Sequence, residues 1–206
     1  MSPQTQTALI QLPAPKCLEI STFEPIPTLS SPHHILVRVL AVALNPNDYK
    51  MLDHFSVPGN GAGCDFCGVI QSMGDAVGGS IELGTRVCGS VFPYSQPTVD
   101  GPDGHTGAFA EWLVADSRLI LRVPDDWSDL QGAALGGVGW STVGLAMSHP
   151  DAMDLTGLPS CPCDKMRPVL VYGGGTATGT MACQLLKLSV DPIPSIQALL
   201  TAHELE

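Results

Sequence analysis

Gly173-Gly174-Gly175-Thr176-Ala177-Thr178-Gly179 is the stretch best suited to holding a phosphate. It follows the apolar run Val169–Tyr172 and leads into the apolar run Thr180–Leu188. Strand, glycine-rich turn and helix in that order open a nucleotide-binding βαβ unit. Small residues let the backbone approach a pyrophosphate, and a helix N-terminus offers free N–H groups and a favourable dipole. The Thr176 and Thr178 hydroxyls are further donors. On the G-x-G-x-x-G template Gly174 and Gly179 fit, with Thr176 in place of the middle glycine. A purely structural glycine turn is the competing reading.

Two other segments carry polar or pliant chemistry. Pro46-Asn47-Asp48-Tyr49-Lys50 reads as a polar turn, with a donor ammonium on Lys50 and an acceptor on Asp48. An Asx-type turn with a solvated Lys50 is the alternative. Leu135-Gly136-Gly137-Val138-Gly139-Trp140-Ser141-Thr142 holds three glycines, which allow a close approach to the backbone or simply break a helix. The cysteines give less. Cys64 and Cys67 form a C-x-x-C, but Cys161 and Cys163 are too close to complete a structural zinc set, so reduced thiols packed as small apolar groups are expected. The six histidines lack H-x-H or H-x-x-x-H spacing, and neither Ser141 nor Ser148 lies in a G-x-S-x-G elbow.

The elements that must position these residues change character along the chain. Ile35–Ala43, Cys67–Gln71, Arg86–Val91, Ala108–Val114 and Leu119–Val123 are short apolar runs between Gly-, Pro- and Asn-rich turns, as in a small barrel-like β unit. Beyond Pro124, Ser128 caps a helix through Asp129, Leu130 and Ala133–Leu135, and Trp140–Met147 is a second helical piece. Asp151–Pro168 reads as a loop. In Ser189–Glu206, Pro192 and Pro194 stand where a second parallel strand is due, and the last residues suggest a short amphipathic helix.

Composition narrows the function classes. The 206 residues are 44% hydrophobic and only 14% charged, too apolar for general disorder, and the net charge of −11 argues against nucleic acid or anionic membrane as the main partner. No run of 18 apolar residues occurs, and Met1–Thr7 lacks the basic start and apolar core of a signal peptide, so a cytoplasmic protein is expected. Seven cysteines without an export signal argue against a disulfide framework.

In order along the chain, ALNPNDYK, GCDFCGVI, GAFAEWLVAD and VLVYGGGTATGTMACQLLKL resemble the medium-chain dehydrogenase/reductase superfamily. The likeness is to its zinc-independent, quinone-oxidoreductase-like branch and to fungal trans-acting enoyl reductases of polyketide synthases. It spans about residues 8–188. The resemblance implies a mixed α and β fold: a GroES-like β-barrel domain over residues 1–125, connecting helices and loop over 126–168, and an incomplete Rossmann α/β unit. That unit comprises the strand, turn and helix of residues 169–188, followed by a divergent tail over 189–206. It implies NADPH as cofactor, with Pro46, Asn47, Asp48, Tyr49 and Lys50 on the nicotinamide side and Gly174, Thr176, Ala177, Thr178 and Gly179 at the phosphates. Leu135–Thr142 would border the acyl chain, and Tyr49 and Lys50 are the candidate proton donors.

Zinc-dependent relatives carry a His-Glu pair where this chain has Cys64 and Asp65, and a cysteine ligand where it has Asn45, so no metal is expected. The implied partner is a polyketide synthase presenting a carrier-bound enoyl thioester. The alternatives are a non-catalytic GroES-like remnant and a general quinone or enone reductase. A doubly wound domain needs on the order of 100–150 residues, far more than follow Pro168, so a C-terminally truncated form is expected. Leu170, Val171, Leu185 and Leu186 would then be partly exposed, leaving a homo-oligomer open.

Overall fold

β-Branched and aliphatic residues draw the first half of the chain into strands, because their side chains pack well on a pleated, half-buried surface. The computed structural model describes residues 5–13, 17–79, 81–94, 107–155, 157, 159–162, 169–189 and 198–199. Its elements begin with β1 (Thr5–Gln11), β2 (Leu18–Pro25), β3 (His34–Ala43), α1 (Pro46–Phe55), β4 (Asp65–Met73) and β5 (Arg86–Ser90). They continue with β6 (Trp112–Asp116), a 3-10 turn (Ser117–Leu119), β7 (Ile120–Arg122), α2 (Asp129–Leu135), α3 (Val138–Ser148), β8 (Val171–Tyr172), α4 (Ala177–Leu188) and β9 (Ala198–Leu199). The chain divides into two compact units, residues 1–138 and 139–206.

In the first unit the strands form an antiparallel five-stranded sheet of order β6-β3-β4-β5-β7 and a two-stranded sheet β1-β2. Isolated bridges Ala8↔Ala110 and Ile10↔Gly61 tie β1 to neighbouring loops. Among the described residues the strands do not close into a ring. Ile35, Val37, Phe66, Ile70, Val87 and Leu113 from β3, β4, β5 and β6 make the main core. A second cluster joins Cys67, Cys88 and Val123 to Ala133 on α2. Cys67 and Cys88 face each other across β4 and β5, and burial pushes both thiols up to about 11. They pack as the small apolar groups the composition suggests.

α2 is held by its entry segment. The Ser128 hydroxyl caps the Gln131 N–H at 3.2 Å, and the Gln131 side chain accepts from the Ser128 N–H at 2.8 Å. The Arg86 fork reaches Asp129 at 3.0 Å and the carbonyls of Pro124 and Trp127 at 2.6 and 2.5 Å. It therefore anchors this segment to β5.

Three findings depart from the sequence reading. β1 and β2 were not legible as strands. Pro46–Lys50 is not a turn but the first half of α1, because proline at the first helical position costs no hydrogen bond and Asp48 closes the helix start by accepting from the Asn45 backbone N–H. The tail contributes Ala198–Leu199 to a parallel pair with Val171–Tyr172, a two-residue ladder. Of the suggested tail helix, Ala198 and Leu199 are strand, and its other residues lie outside the described ones, as does Cys163. In the second unit Leu170 and Tyr172 are exposed, but Leu185 and Leu186 are buried at 8% and 7%. Two leucines of α4 are thus buried, while Leu188 at its end is exposed. Among the described residues no helix is long and apolar enough to cross a membrane.

Candidate functional site

The start of α1 shows how local rules and long-range bonds divide the work. Asn45 is extended (φ −118°, ψ 149°) and stands before Pro46. The Asp48 carboxylate, three residues on, accepts from the Asn45 backbone N–H at 2.8 Å. Asp48 is buried and also takes the Tyr94 hydroxyl at 3.3 Å, while that hydroxyl accepts from the Gly63 N–H at 3.1 Å. Burial, with the Asp48 charge adding to it, holds the Tyr94 phenol well above its ordinary value. Asp48 is therefore engaged with the scaffold. Asn47 lies 3.6 Å from the Cys64 sulfur through its amide nitrogen, and its buried Oδ1 meets no partner among the described residues. Burial first, then the Asp48 charge, pushes the Cys64 thiol far up. Tyr49 is 59% exposed and Lys50 is exposed, with the ammonium 6.0 Å from the Tyr49 ring centre.

Asp65, the first residue of β4, is the centre of a second arrangement that the sequence did not nominate. Its Oδ1 accepts from the backbone N–H groups of Gly137 (3.0 Å) and Val138 (2.9 Å), and its Oδ2 accepts from the Asn45 amide at 2.8 Å. The Val138 amide, first in α3, and the Gly137 amide just before it are thereby satisfied. Gly136 has φ +50°, and a Cβ there would sit 2.6 Å from the Asp65 carboxylate, so the backbone lies directly against that group. A Cβ on Gly137 would lie 2.7 Å from the Ser90 backbone nitrogen. The only available signal was a carboxylate inside an otherwise apolar strand, GCDFCGVI.

Burial raises the Asp65 carboxyl above 3.8, against the pull of the Asn45, Val138 and Gly137 bonds. The folded state therefore keeps this proton to higher pH than the unfolded chain. Its stabilising contribution is complete below the unfolded pKa and is lost as pH rises through the raised folded value. Asp65→Asn is expected to flatten that part of the stability profile. Urea midpoints of the variant and the original chain across the weakly acidic range check it; parallel profiles would refute it.

The glycine turn belongs to the second unit. Thr176 is extended (φ −76°, ψ 162°) and caps α4, its Oγ1 accepting from the Gly179 N–H at 3.1 Å. The same hydroxyl donates to the Gly173 carbonyl at 2.9 Å, and Thr180 Oγ1 donates to that of Gly174 at 3.0 Å. A Cβ on Gly179 would penetrate the Gly173 carbonyl oxygen and come 2.9 Å from the Gly174 Cα. Gly179 thus fills the helix-packing place of a dinucleotide-binding turn. The Ala177 and Thr178 amides, first in the helix, have no intrahelical acceptor and face an exposed surface.

Of the remaining nominated residues, Leu135 ends α2 half-buried, and Val138 opens α3. A Cβ on Gly139 would meet the Met181 sulfur at 3.0 Å. Trp140, Ser141 and Thr142 are exposed on α3, with Thr142 bordering a cavity of about 300 Å³ that Met147, Leu170, Tyr172 and Thr178 also line. The first unit contains a cavity of about 370 Å³ between Ala8, Ile10, Pro25 and Trp112, which none of the nominated residues lines. Among the described residues no group of three or more His, Cys, Asp or Glu side chains is placed to hold a metal ion.

Residues 31–125 match the alcohol dehydrogenase GroES-like domain. The trans-enoyl reductase calK of Penicillium decumbens is 52% identical over 200 residues, covering 91% of this chain and 52% of the relative. The trans-enoyl reductase sthE of Phaeosphaeria nodorum is 52% identical over 191 residues, covering 89% and 50%. This chain therefore spans about half the length of these relatives. Among solved structures, the mycobacterial protein Rv1454c in complex with NADPH superimposes with a TM-score of 0.61 at 20% identity, over 87% of this chain and 48% of that one. The ordered motifs, the GroES-like domain over residues 31–125 and the trans-enoyl reductase relatives agree in making the chain similar to the medium-chain dehydrogenase/reductase superfamily.

Proposed function

We propose that the chain serves as a trans-acting enoyl reductase, using NADPH to reduce the enoyl thioester of a growing polyketide held by a partner polyketide synthase. The carrying observation is the Gly173–Gly179 turn, where a close strand–helix approach leaves the Ala177 and Thr178 amides open at a helix N-terminus. The geometry fits a pyrophosphate. Two relatives at 52% identity named trans-enoyl reductases support the reaction class.

In this reading residues 1–125 are the GroES-like domain, 126–168 the connection, 169–188 the first Rossmann strand, turn and helix, and 189–206 a divergent tail. NADPH, when bound, supplies the hydride for the β-carbon of the thioester. The chain's own residues do the rest. The α4 amides and dipole hold negative charge, and Thr176 keeps the turn in shape through its two hydrogen bonds. Lys50 and Tyr49 present an ammonium and a phenol on the exposed start of α1, where a donor can hold a thioester oxygen or deliver a proton to the α-carbon. The Leu135–Thr142 segment, whose Trp140, Ser141 and Thr142 are exposed, borders the acyl chain in this reading.

Fluorescence titration with NADPH, with NADH in parallel, is the direct test. Micromolar binding is expected. Thr176→Ala should weaken it by about tenfold and lower helix stability by about 1 kcal/mol, since both the cap and the turn are lost. Absence of binding at millimolar NADPH would overturn the proposal, and turnover of free quinones with none of the enoyl thioester would redirect it to a general quinone reductase.

A further inference from the structure

We propose that Asn45 and Asp65 form a positioning pair that locks the start of α1 and the Gly136–Val138 backbone into one shape. The inference rests on the reductase reading, because these segments are the ones assigned to cofactor and acyl chain in the first unit.

Asn45 sits where a helix cap is needed, yet its side-chain amide is turned to Asp65 at 2.8 Å, and Asp48 supplies the reciprocal bond to its backbone. Asp65 is 4% exposed and uses both oxygens: one for that amide, the other for two backbone N–H groups more than 70 residues away in sequence. The glycines at 136 and 137 remove the Cβ atoms that would otherwise push this backbone off the Asp65 and Ser90 wall. The result is one continuous donor–acceptor chain: the Asn45 amide to Asp65, and the Gly137 and Val138 amides to the same carboxylate. Such a chain is satisfied only as a unit, and a missing member leaves buried polar groups unpaired. Neither residue is placed to touch the reacting atoms. Their effect reaches the substrate through the segments they hold.

The chemistry offers a rescue test. Asn45→Asp alone sets two carboxylates face to face where a hydrogen bond was. Combining it with Asp65→Asn reinstates the pairing. The amide placed at position 65 donates to the carboxylate placed at 45, and its oxygen still accepts from Gly137 and Val138.

Amide hydrogen exchange at Gly137 and Val138 is measured in the absence of any ligand, and kcat and KM for a short enoyl thioester are measured separately. Asp65→Ala and Asn45→Asp are expected to speed exchange at these two amides by about tenfold or more, the scale of one lost buried hydrogen bond. Asn45→Asp should raise KM more than it lowers kcat, and the double variant should restore both readouts. Unchanged exchange in Asp65→Ala, or a double variant no better than Asn45→Asp, overturns the pair. If Asp65→Ala does not fold, the comparison of Asn45→Asp with the double variant decides alone. Failure of the original chain to bind NADPH sinks the reductase reading, while the exchange experiment still decides whether the pair holds the backbone.

Discussion

Gly179→Val is expected to destroy the nucleotide turn, with loss of NADPH binding and a stability loss on the order of 4 kcal/mol or more in the second unit. The reason is the backbone atoms in the way. A side chain at 179 would overlap the Gly173 carbonyl oxygen and lie 2.9 Å from the Gly174 Cα, and neither can rotate aside as a flexible side chain would. Relief requires α4 to separate from β8, which breaks the Thr180–Gly174 bond and pulls the Thr176 cap from its place. Gly179→Ala meets the same atoms and should fail nearly as badly. Thermal unfolding combined with NADPH titration checks this. A valine variant that keeps its melting temperature and its affinity would show that the strand–helix approach is not needed.

Phe66→Ala should cost about 3–5 kcal/mol, the usual range for emptying a fully buried aromatic site. Phe66 is 0% exposed and belongs to the cluster with Ile35, Val37, Ile70, Val87 and Leu113. These residues come from β3, β4, β5 and β6, so the cavity would lie at the centre of the five-stranded sheet. Phe66 also directly follows Asp65 along β4, and loosening the strand there should loosen the carboxylate that holds Gly137 and Val138. Urea denaturation reads the effect as a lower midpoint at an unchanged slope. Phe66→Leu, which refills much of the volume, should recover most of the loss. A loss below about 1 kcal/mol for the alanine variant would mean the site collapses around the gap, contrary to a close-packed core.

Much of this organisation is legible in local sequence. The run HILVRVLAVA is a strand because β-branched and aliphatic residues suit a sheet packed on one face, and Ser128 with Gln131 declares a helix start three residues apart. The Gly173–Gly179 turn is visible for the same reason: strand, small residues and helix are contiguous. β1 and β2 are hidden in sequence because their alternation is diluted by Gln, Thr, Glu and Pro; pairing with each other completes them, with bridges from β1 to neighbouring loops. Pro46–Lys50 reads as a turn in sequence because Asn, Pro and Asp are turn formers. The same residues also start helices, and a buried Asp48 held by Tyr94 and the Asn45 backbone favours the helix.

The sequence by itself determined the strand-rich first half, the capped α2, the nucleotide-type turn and the family likeness, since each depends on neighbours within a few residues. Only the tertiary structure decided what Asn45, Asp48, Asp65 and Tyr94 do. Their partners lie between 3 and 73 positions away, and the bonds that matter most join β4 to the start of α3. A carboxylate carries no mark in its own sequence window of which distant amides it will meet. Burial decides it, because once Asp65 leaves water its oxygens must be satisfied by whatever donors the fold brings within reach.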